Sequence, residues 1–333
     1  MASLPRPATG PGSRYTARAA TTRPRPALRR IDVAALARRL TPRDRWLTAM
    51  LHEHQVLTTD QVTRLAYTSR RSAQRRLRIL HHHALIDSFR PLTQTGSAPE
   101  HYTLGPAGAA LLAAHAGLDV ADTGWRPTST GRIAYSPSLG HDLGVNDLLS
   151  HLAAHTRNSP ALTLPLWISE RSCARRWGDI IRPDAYAHFA AREGQLLPFF
   201  LEYDTGSQPL ARVEAKLTGY ETFHTSTGTR PALLIHTRTH SRDMAIRRRL
   251  ADAARELGLA VATSSADFTT TQPWGPWWTP LEPAAHRQPL LQLATHWPHL
   301  TAATGLEATD ADTALTLPVP PLPPHDADGP APA

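Results

Sequence analysis

The chain has 333 residues, enough for two domains of ordinary size with tails to spare. Hydrophobic residues make up 41% and charged residues 19%, which permits a buried core, while 30 prolines and 19 glycines imply extended stretches outside it. No apolar run approaches the roughly 18 residues of a membrane span, no apolar h-region follows the first arginines as in a secretory signal, and Cys173 has no second cysteine for a disulfide or a multi-cysteine zinc site. These features predict a cytoplasmic protein with no membrane partner.

Charge is distributed unevenly. The formal net charge is +8, but residues 1–100 hold 18 arginines against six acids, and the remaining residues hold 18 basic and 22 acidic side chains. A basic front on a mildly acidic body predicts a polyanionic partner at that end. Of the 36 basic residues 35 are arginine, and Lys216 is the one lysine. Arginine bias with abundant Ala, Pro, Gly and Thr reflects a GC-rich genome, which makes that lysine worth explaining.

In chain order, residues 1–36 read as a disordered basic arm, since 1–30 contain seven arginines, five prolines and no acid. A first folded unit is expected over 37–118. Thr41-Pro42 opens a helix with the stripe Leu47, Met50 and Leu51. Thr58-Thr59-Asp60 opens a second helix, and Ser69 caps a third running to about residue 82. On that third helix Ala73, Leu77 and Leu80 recur at core spacing, while Arg71, Arg75 and Arg78 recur on another side with Arg70 and Arg76 nearby. Strands at Ala84-Leu85-Ile86 and His101-Tyr102-Thr103-Leu104 flank a hairpin over 93–99, and a small-residue helix follows over 106–115.

The whole unit resembles a winged helix-turn-helix domain. That resemblance implies a double-stranded DNA partner, with Ser69, Arg70, Ser72 and Gln74 near base edges and Arg71, Arg75 and Arg78 on phosphates or guanine. The competing reading is a protein-docking module whose arginines are a solvated face. His81, His82 and His83 are consecutive on a helix, cannot chelate one ion together, and suit a helix C-terminus instead.

Residues 119–138 read as a linker, and a second unit is expected over 139–285. Its elements are a helix over 143–155, a strand over 162–169, a hairpin of 180–190 and 196–203, a helix over 210–223, a strand over 232–236, a charged helix over 242–257 and a strand over 260–264. Residues 286–333 form a C-terminal extension and a Pro-rich tail, read as solvated. The fold class is therefore mixed, α+β or α/β.

Polar residues on the hairpin supply the chemistry. Glu202 and Asp204 are two apart and share a strand face. A hairpin pivoting on Glu193 pairs residues i and 386−i, setting Asp184 opposite Glu202, whereas a half-step shift would pair Asp184 with Tyr203. Carboxylates so grouped repel unless a hard cation such as Mg2+ or Mn2+ sits between them, and such an ion can activate water against a phosphodiester.

Pro183-Asp184 on one strand and Glu202-Tyr203-Asp204 on the next resemble the PD-(D/E)xK nuclease pattern, a restriction-endonuclease-like mixed-sheet domain. The resemblance implies metal ligation by Asp184 and Glu202, with Asp204 as a third candidate because it stands where the pattern has lysine. Some members of that superfamily carry the lysine on the following helix, where this chain has Lys216, so Asp184, Glu202 and Lys216 are the candidate catalytic residues. The winged-helix unit followed by Trp167-Ile168-Ser169-Glu170, Arg182-Pro183-Asp184-Ala185-Tyr186, Phe200-Leu201-Glu202-Tyr203-Asp204 and Lys216-Leu217-Thr218-Gly219-Tyr220 resembles the replication-relaxation family of plasmids and mobile elements of Gram-positive bacteria, particularly actinomycetes. That resemblance implies a DNA-binding protein of replication, relaxation or transfer, with plasmid replication or transfer proteins as partners and a homodimer left open. It also leaves open two readings of the second unit: a metal-dependent deoxyribonuclease, or a non-catalytic replication or transcription regulator with a degenerate nuclease fold.

Three further features have alternatives of equal or greater weight. Glu170 is either another ligand or an anchor for Arg171 or Arg175. Tyr220 shares a helix face with Lys216 and is read chiefly as core. Trp274, Trp277 and Trp278 read more readily as cover for a sheet edge than as a base-stacking platform.

Overall fold

The computed structural model describes residues 20–22, 33–91, 98–306 and 315–324. Most of the arm over 1–36, the part of the hairpin over 93–97 and parts of the tail over 286–333 lie outside the described residues. The first elements are β1 (Ala20–Thr22), α1 (Val33–Ala37), α2 (Pro42–His54), β2 (Leu57–Thr58), α3 (Thr59–Ala66), α4 (Arg70–His82), β3 (Ile86–Pro91), β4 (His101–Leu104) and α5 (Pro106–Ala116). Their starts follow from the caps. Thr41 Oγ1 accepts from the Asp44 N–H while the Asp44 carboxylate accepts from the Thr41 N–H, and Thr58 and Gln61 repeat the arrangement on α3. Ser69 Oγ accepts from the Ser72 N–H to open α4. Strands pair antiparallel in the order β1-β3-β4-β2. Composition alone placed β1 and α1 in a disordered arm. Three residues of backbone pairing against Phe89–Pro91 order the former, a stretch too short to stand out by its residue types.

Downstream come a 3₁₀ turn (Val120–Thr123), α6 (Ser129–Ala134), α7 (Leu139–Arg157), β5 (Leu162–Ser169), α8 (Glu170–Trp177), β6 (Ala185–Ala191), β7 (Leu196–Asp204), α9 (Leu210–Thr227), β8 (Ala232–Thr237), α10 (His240–Glu256), β9 (Val261–Ser264), β10 (Pro276–Pro280), β11 (Gln288–Pro289) and α11 (Gln292–His296). Seven strands form one mixed sheet in the order β11-β10-β9-β8-β7-β6-β5, with β7, β8 and β9 parallel and the others antiparallel. The architecture is thus mixed α and β. Among the described residues no helix is long and apolar enough to cross a membrane.

Three segments differ from expectation. Residues 119–138 are not a bare linker: the Trp125 indole donates to the Leu104 carbonyl at 3.0 Å and Thr130 to the buried Asp87 carboxylate at 2.8 Å, which fastens the turn and α6 to the first sheet. The sheet continues past residue 285 through β11. Residues 315–324 are docked rather than solvated, because backbone carbonyls in this segment accept from side chains of the folded body. The Trp46 indole donates to the Pro320 carbonyl at 2.7 Å, Arg176 donates to the Thr316 carbonyl at 2.7 Å, and Pro321 is buried.

Strand alternation divides the core into two layers. Phe199 and Leu201 face a layer continuous with Leu148 and Leu152 of α7 and with Leu47, Met50, Leu51 and Leu77 of the first helices. Ile168, Tyr186 and Phe200 face the opposite layer, covered by Val213, Leu217, Tyr220 and Phe223 of α9 and by Ile246 and Leu250 of α10. The two expected units therefore share one hydrophobic layer through α7. Polar bonds reinforce that seam: Asn146 Nδ2 donates to the Val56 carbonyl at 2.8 Å and Arg64 pairs with Asp147 at 3.0 Å.

Helix α7 lies so close to the end of β7 that a Cβ on Gly144 would stand 2.3 Å from the Tyr203 ring. Gly144→Ala is expected to cost about 1–3 kcal/mol of overpacking strain, read as a lower urea midpoint with unchanged slope. An unshifted midpoint would show that α7 can retreat freely.

Candidate functional site

On α4, Ala73, Leu77 and Leu80 are buried, and Ser69, Arg70, Arg71, Ser72, Gln74, Arg75 and Arg78 are exposed on the remaining faces. Arg70 pairs with Asp60 at 3.0 Å. Arg76 turns inward, its Nε donating at 2.8 Å to Asp44, whose side chain is 1% exposed, and so holds α4 against α2. Arg71 and Arg75 make no ion pair among the described residues. The result is a solvent-facing basic surface on a helix fixed from behind.

A second cluster gathers at one end of the large sheet. Strands β6 and β7 pair Ala185 with Leu201, a register that continues to set Asp184 opposite Glu202. The Asp184 N–H donates to the Leu201 carbonyl at 3.0 Å. Glu202 lies on the face covered by α9, and both of its oxygens are engaged there. Lys216 Nζ donates to Oε2 at 2.5 Å and the Tyr220 hydroxyl to Oε1 at 2.5 Å. Lys216 and Tyr220 are four apart on α9, so one helix face delivers both. Burial, with the Asp184 carboxylate nearby, pushes the Glu202 carboxyl up to about 7 against the pull of Lys216 and Tyr220. Burial works against the Lys216 ammonium as well, but Glu202, Asp184 and Asp204 outweigh it and raise its pKa.

Asp184 Oδ2 accepts the Tyr203 N–H at 2.7 Å and the His141 Nε2–H at 2.8 Å, while His141 Nδ1 faces Asp142 at 3.3 Å. Burial disfavours the His141 imidazolium, yet hydrogen bonds to the two carboxylates push its pKa up to about 10. The ring is therefore a cation at neutral pH, donating from both nitrogens. Glu170, at the start of α8, feels the same group. Burial and the Asp184 carboxylate raise its pKa, with His141 and Lys216 opposing.

Asp204, the third candidate ligand, is engaged by the next helix and by its own turn. Its Oδ2 accepts from Arg242 Nε at 2.9 Å and Nη2 at 2.8 Å, and its Oδ1 accepts the Gly206 N–H at 2.5 Å. It shares a strand face with Glu202, but Arg242 on α10 neutralises it and draws it to the next helix. Among the described residues no group of three or more His, Cys, Asp or Glu side chains is arranged to hold a metal ion.

Sequence reasoning missed His141 and Arg242. Asp142 beside His141 in the first turn of α7 was the available signal for the first, whereas Arg242 was one arginine among many. Tyr220 is core, 2% exposed, and also a donor to Glu202. Glu170 anchors neither neighbouring arginine, because Arg171 donates to the His52 carbonyl at 2.5 Å and Arg175 to Ser172 at 3.0 Å. Trp278 is fully buried and Trp274 stacks on His155 at 3.8 Å, which makes them cover for the sheet. Cys173 is buried and its thiol pKa is pushed well up by that burial, so it is no nucleophile.

These features describe a mixed α and β protein with an arginine-rich helical surface and an acidic pocket holding its one lysine. Residues 48–233 match the family model described as Replication-relaxation, more than half of the chain, and the chain belongs to that family. Membership points to the replication of plasmids or mobile elements. No curated protein and no solved structure matches the chain.

Proposed function

We propose that this chain is a DNA-binding protein of plasmid or mobile-element replication or relaxation, with a metal-dependent DNA-nicking site in its second unit. In this reading α2, α3 and α4 with the β3–β4 hairpin are a winged helix-turn-helix. Support comes from the helix, strand, helix, helix, strand, strand order and from the exposed Arg71 and Arg75, which form no ion pair among the described residues. Helix α7, strands β5–β7, α9 and β8 are in the order of a PD-(D/E)xK core, with α8 inserted. The observation that carries the catalytic half is Lys216 Nζ at 2.5 Å from Glu202, itself in register with Asp184.

Asp184 and Glu202 are oxygen donors of the class a hard cation takes. Magnesium keeps most of its waters and takes one or two carboxylates. Asp184 Oδ1 accepts no hydrogen bond from the described residues, and the Glu170 carboxylate also makes none. Asp184 and Glu202 would hold the ion, with Glu170 close by. When bound, such an ion polarises a phosphodiester and acidifies water. Lys216 would present its ammonium to charge developing on the phosphate, His141 would fix the orientation of Asp184, and Tyr220 would fix that of Glu202.

Supercoiled plasmid incubated with Mg2+ or Mn2+ is expected to be nicked, and EDTA or Asp184→Ala to stop it while DNA binding survives. Nicking that persists in Asp184→Ala refutes the assignment. A non-catalytic regulator is the second reading. It is favoured by the Arg242–Asp204 pair and by the saturation of both Glu202 oxygens within the protein, and it predicts DNA binding with no nicking under any cation. Arg71→Gln with Arg75→Gln is expected to reduce the slope of log affinity against log salt by about 2, measured by fluorescence anisotropy. An unchanged slope would remove α4 from the interface.

A further inference from the structure

The first turn of α4 and the acidic pocket stand apart, and two helices measure the gap. Helix α7 starts at the pocket, where His141 Nε2 meets Asp184 at 2.8 Å. It ends beside the last turn of α3, where Arg157 donates to the Leu65 carbonyl at 3.0 Å. The helix between these two contacts covers about 24 Å. Leu65 leads straight into the connection to α4, so Ser69 and Ser72 lie at the far end of α7. The β6–β7 hairpin turns at this same end, since Arg192 lines one cleft with Thr68 and Ser72.

Helix α2 gives the second measure. Arg76, in the middle of α4, donates to Asp44 in the first turn of α2 at 2.8 Å, and Glu53 near the other end accepts the Ser169 N–H at 2.8 Å. Ser169 pairs with Ala185, a register that continues to set Glu170 opposite Asp184. About 13 Å of helix therefore parts even the middle of α4 from the sheet end that carries the carboxylates. The two surfaces also belong to different layers. The first helices and α7 pack on the face of Phe199 and Leu201, whereas Glu202 shares the opposite face with Phe200 and meets Lys216 of α9 there.

We infer that the chain nicks DNA outside the base pairs that α4 reads, about seven base pairs from their centre and toward the start of α7. The offset is the length of α7 at about 3.4 Å per base pair. A duplex is stiff over so short a distance, and the sheet stands between the two surfaces. The pocket therefore cannot close on a phosphate of the stretch that α4 holds. The nicked phosphate is chosen by distance, and the bases beside it go unread by α4. This inference rests on the DNA-binding and nicking reading of the two units, whereas the separation of the two surfaces does not.

The test uses the full chain and a duplex that it selects from a random pool in EDTA. The stretch read by α4 is the set of guanines whose methylation protection is lost in Arg71→Gln with Arg75→Gln. Mg2+ or Mn2+ is then added and the nick is mapped on both strands. An iron–EDTA probe on an introduced thiol reads the geometry apart from the chemistry. It is attached through Ser207→Cys, in the exposed loop after β7, or through Glu193→Cys, at the exposed hairpin turn, because Cys173 is buried and stays unlabelled. The Glu193→Cys probe is expected to cut within or beside the α4 stretch. The Ser207→Cys probe and the metal-dependent nick are expected to fall together, about seven base pairs away. A nick inside the α4 stretch overturns the inference and leaves nicking itself established. Probe cuts that coincide for the two positions overturn the spacing. Offset Ser207→Cys cuts with no metal-dependent nick refute the catalytic reading and, with it, the inference. Failure to select any duplex removes the DNA reading of α4 and the inference together.

Discussion

Lys216→Met is expected to reduce metal-dependent nicking by 10²-fold or more, on the order seen when one charge-stabilising donor leaves an active site, and to destabilise the fold by about 2 kcal/mol. The second effect arises because Glu202, 7% exposed, would keep a buried carboxyl without its ammonium. Burial already holds that carboxyl at about 7. Without Lys216 it would protonate at still higher pH, so protonation caps the cost. Adding Glu202→Gln to Lys216→Met removes the stranded charge and should recover most of the lost stability while restoring no nicking. The cycle of two single variants and the double therefore separates structure from chemistry. Chemical denaturation and plasmid nicking read the two halves independently. A double variant as unstable as the sum of its parents would mean that Lys216 and Glu202 do not act as a pair.

Glu53→Gln is expected to remove about 3 kcal/mol from the seam between the two units. Glu53 sits on α2, 2% exposed, and accepts the Ser169 N–H at 2.8 Å, the Ser169 hydroxyl at 2.8 Å and the Ser172 hydroxyl at 2.7 Å. Burial by itself would raise its pKa, but the His54 charge and these donors outweigh it and hold the carboxyl at about 2. Burial also keeps His54 neutral down to about pH 4, so at neutral pH the serine donors carry the effect. The pKa is depressed on folding, so the contribution is complete above the unfolded value near 4.5 and disappears as pH falls toward 2. The stability gap between wild type and Glu53→Gln should therefore be flat above about pH 5 and close below it. A gap that persists at pH 2 would show that shape, and not charge, is at stake.

Local signals are strong where one residue type has one job. Thr41-Pro42, Thr58 and Ser69 mark helix starts because a cap needs only its own first turn, and the α4 stripe of Ala73, Leu77 and Leu80 marks its buried face. The hairpin register followed from a pivot at Glu193, but the choice between two half-steps needed the sheet. Helix α8 was missed because it is short and charged and follows β5 without a break. The docking of 315–324 was missed because the acceptor carbonyls of Thr316 and Pro320 have no signature until Arg176 and Trp46 are brought to them.

The candidate site was legible in kind and incomplete in membership. Asp184, Glu202 and Lys216 stood out as an acid pair and a lone lysine. The pairing of Asp204 with Arg242, and the place of His141 beside Asp184, depend on helices that cross the sheet end from distant parts of the chain. Sequence alone determined what is periodic or chemically singular: helix caps, core stripes, the basic front and the unusual lysine. Tertiary structure decided which charges are paired, because a Coulombic or hydrogen-bonded partner is set by distance in space, and the spacing of residues along the chain carries no measure of that distance.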